Sequence, residues 1–232
     1  MAENERILGV LGGMGPLASA QFMMRLTLLT PAERDQDHVP AVLWSDPRVP
    51  PRSRTGPDPL PALVRGLKAL EAAGCGAVAI PCNTAHGWIE GMQAATRLPI
   101  LHIIDAAAED LRRQGVGPGT VGIMATAQTL AMRLYQERLD GLGWPCIQPT
   151  EDEMARLVTP AILAVKANRV AEAYGPLAEV VTRLRARGAA AVVLGCTEIP
   201  LGIQAGPWEG LGVPLVDTID ALARAAIVWA RG

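Results

Sequence analysis

Short apolar runs alternate with amphipathic stretches along the whole chain. The runs are continuous rather than alternating, which is typical of parallel strands that are buried on both faces. We expect strands at Arg6–Leu11, Ala41–Ser45, Ala77–Ile80, Ile100–His102, Thr120–Met124, Ala190–Leu194 and Pro214–Val216. We expect helices near 17–29, 60–73, 84–96, 105–114, 128–142, 152–166, 169–187 and 218–230. This order predicts an α/β fold in which helices cover parallel sheets.

The two halves of the chain repeat the same pattern. Three pairs of segments match in the same order: Gly74–Cys82 with Gly188–Cys196, Leu98–Asp105 with Val213–Asp220, and Leu8–Leu11 with Val121–Met124. A general likeness among α/β units is the alternative explanation. The repetition favours two similar Rossmann-like domains related by pseudo-two-fold symmetry. We place the first at residues 1–104 plus 217–232 and the second at 105–216.

Composition narrows the class of protein. The chain has 232 residues, 50% of them hydrophobic, which is enough for a substantial core. A formal charge of -2 and only 3% aromatic residues give no basic field or stacking platform for nucleic acid. No apolar run approaches the length of a membrane span, and the first residues are acidic where a signal peptide is basic. We expect a cytoplasmic protein that binds neither nucleic acid nor membrane.

Two of the four cysteines follow equivalent strands. Cys82 and Cys196 each come at the end of a predicted buried strand, whereas we interpret Cys75 as a packing residue and Cys146 as a strand or surface thiol. Ligands of open parallel sheets bind beyond the carboxyl ends of the strands. If the two domains face each other, the two thiols meet across one cleft, where we predict the active site. A helix start after each thiol is expected to bind a carboxylate and to lower the thiol pKa toward neutrality.

Two equivalent thiols suit one kind of chemistry better than the alternatives. A zinc site needs more ligands than Cys82 and His86 provide, and a cysteine hydrolase leaves Cys196 without a role. A thiolate on one face of a carbon removes a proton while a thiol on the other face supplies one, which inverts the stereocentre. This reaction needs no cofactor and no metal, and we expect neither.

Three other features remain open on the residues alone. Gly12–Pro16 is either a tight turn or a loose dinucleotide fingerprint, but Pro16 removes an N–H and no acidic residue follows at the usual distance. The loop 47–61 contains six prolines and three arginines (48, 52 and 54), and is either a solvated connector or a lid that closes over the cleft. Lys166 either closes a helix or points into the cleft.

The motifs Gly-Gly-Met-Gly-Pro, Pro-Cys-Asn-Thr-Ala-His and Gly-Cys-Thr-Glu-Ile together resemble the aspartate/glutamate racemase superfamily, most of all its aspartate racemase branch. The resemblance implies a cofactor-independent enzyme that forms a homodimer and has Cys82 and Cys196 as its acid/base pair. It also implies which residues bind the substrate. The α-carboxylate would bind to Asn83, Thr84, Thr126 and Thr197, and the side-chain carboxylate would bind to Arg52 and Lys166. Met14 and Gly15 would line the cleft.

Two departures from the family pattern bear on the substrate. Pro51 precedes Arg52 where the family commonly has Asp, and the stretch 124–129 lacks a glycine that often follows the threonines. The expected activity is racemisation of an acidic amino acid, aspartate first. The alternatives are a broad-specificity racemase or epimerase of the same family and a non-catalytic module that binds small acids. Retention of both thiols argues against the last, because a binding pocket needs neither.

Overall fold

Each half of the chain folds around its own four-stranded parallel sheet. The computed structural model describes residues 6–53 and 55–232, so the expectations about the acidic first residues and about Arg54 lie outside the described residues. One unit runs up to Ala106 and includes Ile219–Gly232, and the other is Ala107–Thr218. Each boundary lies two residues beyond the expected one.

The first unit has the strand order β2-β1-β3-β4. Its strands are β1 (Leu8–Gly12), β2 (Ala41–Ser45), β3 (Ala77–Ala79) and β4 (Ile100–Leu101). Its helices are α1 (Pro16–Leu29), α2 (Leu60–Ala72) and α3 (Ile89–Ala95). Helix α4 (Ile103–Arg113) leads the chain into the second unit.

The second unit repeats this topology with the order β6-β5-β7-β8. Its strands are β5 (Val121–Ala125), β6 (Cys146–Ile147), β7 (Ala191–Gly195) and β8 (Leu215–Asp217). Its helices are α5 (Ala127–Ala131), α6 (Leu134–Leu139), α7 (Glu151–Glu153), α8 (Thr159–Lys166), α9 (Tyr174–Ala186) and α10 (Glu198–Gln204). Helix α11 (Thr218–Arg231) returns the chain to the first unit. The prediction of two similar parallel α/β domains is confirmed, because the two sheets are both parallel and have equivalent strand orders.

The repeated glycines have the same conformation in both units. Gly74 follows α2 and Gly188 follows α9, each with a left-handed φ, of 81° and 92° respectively. The next residue donates its N–H back to the last turn of the helix, Cys75 to Leu70 at 3.2 Å and Ala189 to Leu184 at 3.1 Å. This glycine-based ending stops the helix and directs the chain into the buried central strand.

Several predictions of helices and strands were wrong in detail. The stretch 84–96 begins as a 3-10 turn, Asn83–Trp88, before α3. The stretch 128–142 is divided between α5 and α6, because Arg133 has a left-handed φ of 55°. The short strand β6 was not among the expected strands, since two residues give no periodicity to read, although a strand was one of the two interpretations of Cys146. None of the helices formed by the described residues is long and apolar enough to cross a membrane.

Candidate functional site

Both predicted catalytic thiols lie at the carboxyl end of a central strand. Cys82 comes shortly after β3, and Cys196 directly follows β7. Each is only 5% exposed and belongs to the apolar core of its own unit. Because β3 and β7 hold equivalent positions in the two sheets, the cysteines are equivalent in topology as well as in sequence.

The Gly12–Pro16 segment forms a tight turn held by Ser19. The N–H of Gly13 donates to the Ser19 hydroxyl at 2.9 Å, and that hydroxyl donates to the carbonyl of Gly15 at 2.9 Å. A side chain at Gly13 would lie 2.4 Å from the backbone of Asp46, and φ there is 90°, so glycine is required. The Met14–Gly15 peptide bond is cis. Met14 is buried in the same apolar cluster as Cys82.

The arginines of the 47–61 loop have different environments. The Arg48 side chain is 86% exposed and pairs with Asp46 at 2.8 Å, as expected for a solvated connector. Arg52 is half-buried, and its guanidinium donates to the carbonyls of Pro50 at 3.2 Å and Met14 at 3.5 Å. Its Nε is buried without a hydrogen-bond partner. Arg52 therefore packs against the turn that contains Met14 and retains an unsatisfied donor.

His86 is a structural brace for the Cys82 segment. Its Nδ1 lies 3.0 Å from the carbonyl oxygen of Cys82, and its Nε2 lies 3.3 Å from the backbone nitrogen of Ile103. A carbonyl only accepts and a backbone N–H only donates, so the ring is the neutral tautomer with its proton on Nδ1. With both ring nitrogens engaged and 1% of the residue exposed, His86 is neither a general base nor a zinc ligand in this arrangement.

Replacing His86 with Ala is expected to destabilise the protein by about 2–4 kcal/mol, because it leaves a buried carbonyl and a buried N–H without these bonds. Urea denaturation followed by far-ultraviolet circular dichroism measures the loss. His38→Ala is the matched control, since the Nδ1 of His38 has no hydrogen-bond partner. A change in the free energy of unfolding below about 0.5 kcal/mol in His86→Ala would contradict this structural role of His86.

In the second unit, Thr126 and Cys196 leave neighbouring strands at the same level. Strands β5 and β7 pair in parallel with Ala125 opposite Gly195, so the next residue of each strand emerges at the same edge. Thr126 caps α5, where its hydroxyl oxygen accepts the N–H of Thr129 at 3.2 Å. The structure thus brings one predicted carboxylate-binding residue close to one predicted catalytic thiol.

The Cys196 thiol has an acidic neighbour that the sequence analysis missed. Glu198 is 4% exposed, and its Oε2 accepts from the Cys196 thiol at 3.1 Å and from the Thr197 hydroxyl at 3.4 Å. Burial raises the pKa of Cys196 well above its ordinary value, and the negative charge of Glu198 raises it further. The expectation that a helix start lowers this pKa toward neutrality was wrong, because burial and Glu198 outweigh it. The available signal was an acid two residues after the cysteine.

Lys166 both ends a helix and affects the thiol. It is the last residue of α8 and is exposed, as a helix-closing lysine would be. Its positive charge also acts on Cys196, where it opposes the rise in pKa. The position of Lys166 at the end of a helix is confirmed, and its direction toward the cleft stays a prediction.

The remaining predicted site residues are buried beside their thiols in the chain. Asn83 and Thr84 are 2% and 9% exposed in the 3-10 turn after Cys82, and Thr197 is 2% exposed at the start of α10. In sum, the predicted residues fall into two sets: in the first unit Met14, Gly15, Arg52, Cys82, Asn83 and Thr84, and in the second Thr126, Lys166, Cys196 and Thr197.

The other two cysteines are placed differently. Cys75 packs in the core of the first unit after α2, and burial raises its pKa. Cys146 lies in β6, where burial raises its pKa to about 12. Across residues 6–53 and 55–232, no group of three or more His, Cys, Asp or Glu side chains is placed to hold a metal ion.

Comparison with known proteins agrees with this architecture. The Asp/Glu/hydantoin racemase family matches residues 11–226. The structure of the Picrophilus torridus aspartate racemase is similar with a TM-score of 0.85 and 32% identity, covering 97% of this chain and 94% of that one. The broad specificity amino-acid racemase RacX of Bacillus subtilis is 25% identical over 95% of this chain and 96% of its own length.

A more distant likeness concerns the fold alone. The glutamate racemase of Francisella tularensis, solved with D-glutamate, has a TM-score of 0.69 at 16% identity and covers 97% of this chain and 81% of its own. The family match extends over nearly the whole chain and includes both cysteine motifs. The chain therefore belongs to the Asp/Glu/hydantoin racemase family.

Proposed function

We propose that this protein is a cofactor-independent racemase of an acidic amino acid, with aspartate as the expected substrate. One observation carries the proposal: each of two units with the same strand order has a buried cysteine at the carboxyl end of the same central strand. A binding module has no use for this duplication. Inversion at a carbon needs it, because each face of the carbon requires its own proton-transfer group.

In the proposed reaction, one thiolate removes the α-proton and the opposite thiol supplies a proton to the other face. A C–H bond breaks as an S–H bond forms at the first cysteine, and the reverse happens at the second. Cys82 and Cys196 take these roles, and exchange them for the opposite enantiomer. Burial of both thiols supports the scheme, because it keeps water from competing as a proton donor while a substrate is bound.

The α-carboxylate is proposed to bind to polar groups beside the thiols. Asn83 and Thr84 follow Cys82, and Thr126 leaves the strand next to that of Cys196. Thr197 is a weaker candidate through its hydroxyl, since that proton is directed at Glu198 and a substrate would compete for it. Met14 and Gly15 are proposed to line the site.

The side-chain carboxylate is proposed to bind Arg52 and Lys166. The buried, unpartnered Nε of Arg52 supports this role, because a carboxylate would satisfy it. The electrostatic effect of Lys166 on Cys196 supports the presence of a second cation near the reacting carbon. The 32% identity to the Picrophilus torridus aspartate racemase supports aspartate as the first substrate to test.

A broad-specificity racemase is the second candidate. The match to RacX covers nearly the full length of both chains. Pro51, where the family commonly has Asp before the arginine, leaves the loop without an acidic neighbour for Arg52. In that case the same thiols act on neutral amino acids as well.

Circular dichroism of amino acids incubated with the purified protein tests the function. The signals of L-aspartate and of D-aspartate should both decay to zero, faster than those of glutamate and of neutral amino acids. Similar rates for acidic and neutral substrates would identify a broad-specificity racemase. Unchanged signals for every amino acid would contradict the proposed function.

We predict that activity requires neither pyridoxal phosphate nor a metal. The only lysines available for a Schiff base are Lys68 and Lys166, and Lys68 is ion-paired with Glu71 at 2.8 Å. Racemisation should survive dialysis against chelator and treatment with hydroxylamine. Loss of activity that added metal or pyridoxal phosphate restores would refute this prediction.

We also propose that the protein forms a homodimer. Helix α1 exposes three large apolar side chains, Leu17 (38%), Met24 (49%) and Leu28 (64%), and a second copy would cover them. Light scattering is expected to give twice the chain mass of 24.4 kDa. Leu28→Glu should shift the mass toward that of the monomer, and an unchanged mass would remove this helix from the proposed interface.

A further inference from the structure

Glu198 is a buried carboxylate with an unusual set of partners. It is 4% exposed, and its bonds come from the adjacent residues Cys196 and Thr197. In the part of the chain that the structure describes, no arginine or lysine forms an ion pair with it. By contrast, Glu153, which is also buried, pairs with Arg187 at 2.8 Å. Burying a carboxylate that forms no ion pair costs stability, which raises the question of what Glu198 does.

The geometry makes the Cys196 thiol the proton donor in this pair. The Sγ lies 3.1 Å from Oε2 of Glu198, and an ionised carboxylate only accepts. The thiol proton therefore points at Glu198. A thiolate at the same place would face a carboxylate at hydrogen-bond distance in a buried site, where like charges repel strongly.

Two other titratable groups act on Cys196. Lys166 at the end of α8 favours the thiolate, and the fully buried Tyr135 of α6 interacts electrostatically with the thiol. Burial and Glu198 outweigh Lys166, so the net direction is toward a protonated thiol. The residue two positions after Cys82 is Thr84, which carries no acidic group. The two cysteines therefore differ in the residue that stands two positions after each of them.

We propose that Glu198 is a positioning residue that holds Cys196 as a thiol, so that in the resting enzyme Cys196 is the proton donor and Cys82 is the base. This inference rests on the proposed two-thiol racemisation and assigns the starting role of each thiol. In the first turnover the substrate C–H bond breaks and an S–H bond forms at Cys82. The S–H bond of Cys196 breaks and a new C–H bond forms on the opposite face. After the product leaves, Cys82 gives its proton to water and Cys196 takes one from water, and the repulsion between the Cys196 thiolate and Glu198 favours this return to the resting pair.

The test is Glu198→Gln, which keeps the size and an acceptor oxygen but removes the charge. Alkylation by iodoacetamide is measured against pH, and each cysteine is followed separately by mass spectrometry of its peptide. The midpoint for Cys196 is expected to fall by at least about one pH unit, which is about tenfold faster alkylation below the midpoint. The midpoint for Cys82 is expected to stay in place and serves as the internal control. An unchanged or raised midpoint for Cys196 would overturn the proposal.

Glu198→Asp separates charge from packing. It retains the carboxylate, so its Cys196 midpoint is expected to lie between those of the wild type and Glu198→Gln. If the Cys196 midpoint falls equally in Glu198→Gln and Glu198→Asp, the effect is due to packing, and the proposed role of the charge is overturned. In activity assays, the alkaline limb of the kcat/KM profile, which reports the required Cys196 thiol, should move to lower pH in Glu198→Gln. An unmoved limb with a lowered Cys196 midpoint would overturn the assignment of Cys196 as the donor.

The alkylation profile does not require turnover. Absence of racemisation by the wild-type protein would therefore contradict the proposed function. An alkylation midpoint of Cys196 that is the same in the wild type and in Glu198→Gln would contradict only this inference.

Discussion

Replacing either Cys82 or Cys196 with Ala is expected to lower the kcat/KM for aspartate by roughly 10³-fold or more. Each variant lacks the group that is proposed to transfer the proton on one face of the α-carbon, and burial of the site keeps bulk water from taking over that role. Both directions should be lost together, because the enantiomers have equal free energy and kcat/KM changes equally for each. Initial rates from L-aspartate and from D-aspartate, followed by circular dichroism, measure this effect.

The remaining two cysteines are the matched controls. Cys75→Ala removes a buried thiol from the first unit, and Cys146→Ala removes a half-buried one from the second. Both are expected to retain activity within a few-fold of the wild type, although Cys75→Ala leaves a small core cavity and should lower stability. Near-normal racemisation by Cys82→Ala or Cys196→Ala would rule out the two-base scheme.

Replacing Arg52 or Lys166 with Ala is expected to lower kcat/KM for L-aspartate by roughly 30- to 1,000-fold, or about 2–4 kcal/mol. Each variant removes one of the two cations that are proposed to bind the side-chain carboxylate of the substrate. Neutral amino acids have no such carboxylate, so the loss should fall on acidic substrates. The buried Nε of Arg52, which has no hydrogen-bond partner, is the structural motivation.

A second arginine and a second lysine serve as controls for this prediction. Arg48→Ala removes an exposed arginine of the same loop, and Lys68→Ala removes the only other lysine. Both form surface ion pairs, which contribute little, so their kinetics should match the wild type. Equal losses on aspartate and on a neutral amino acid in Arg52→Ala would indicate a general disturbance of the loop and not a specificity role.

The fold was predictable because it rests on local patterns that repeat. Continuous apolar runs are typical of parallel strands, and Gly74 and Gly188 end their helices in the same way. The two-residue strand β6 and the break at Arg133 were not predictable, since neither has a periodic signal. Strand β6 is defined by its pairing with β5, which is a non-local contact.

The positions of the two thiols at strand ends were predictable, but the electrostatic environment of Cys196 was not. The repeat and the strand ends located Cys82 and Cys196 in sequence. The pKa of Cys196 depends on its burial and on Glu198, and sequence position alone gave the wrong direction. The role of His86 likewise depends on which atoms its two ring nitrogens meet, and one of them, the N–H of Ile103, belongs to a different element.

Racemisation of L-aspartate in D₂O tests the two-thiol mechanism most directly. The reaction is stopped at low conversion, and proton NMR with chromatographic separation of the enantiomers measures α-deuterium in each. The account predicts that the D-aspartate formed is fully deuterated at the α-carbon while the recovered L-aspartate remains protiated, because different thiols remove and supply the proton. D-aspartate that retains the original α-proton, or equal early deuteration of both enantiomers, would show that a single group acts on both faces and would contradict the account.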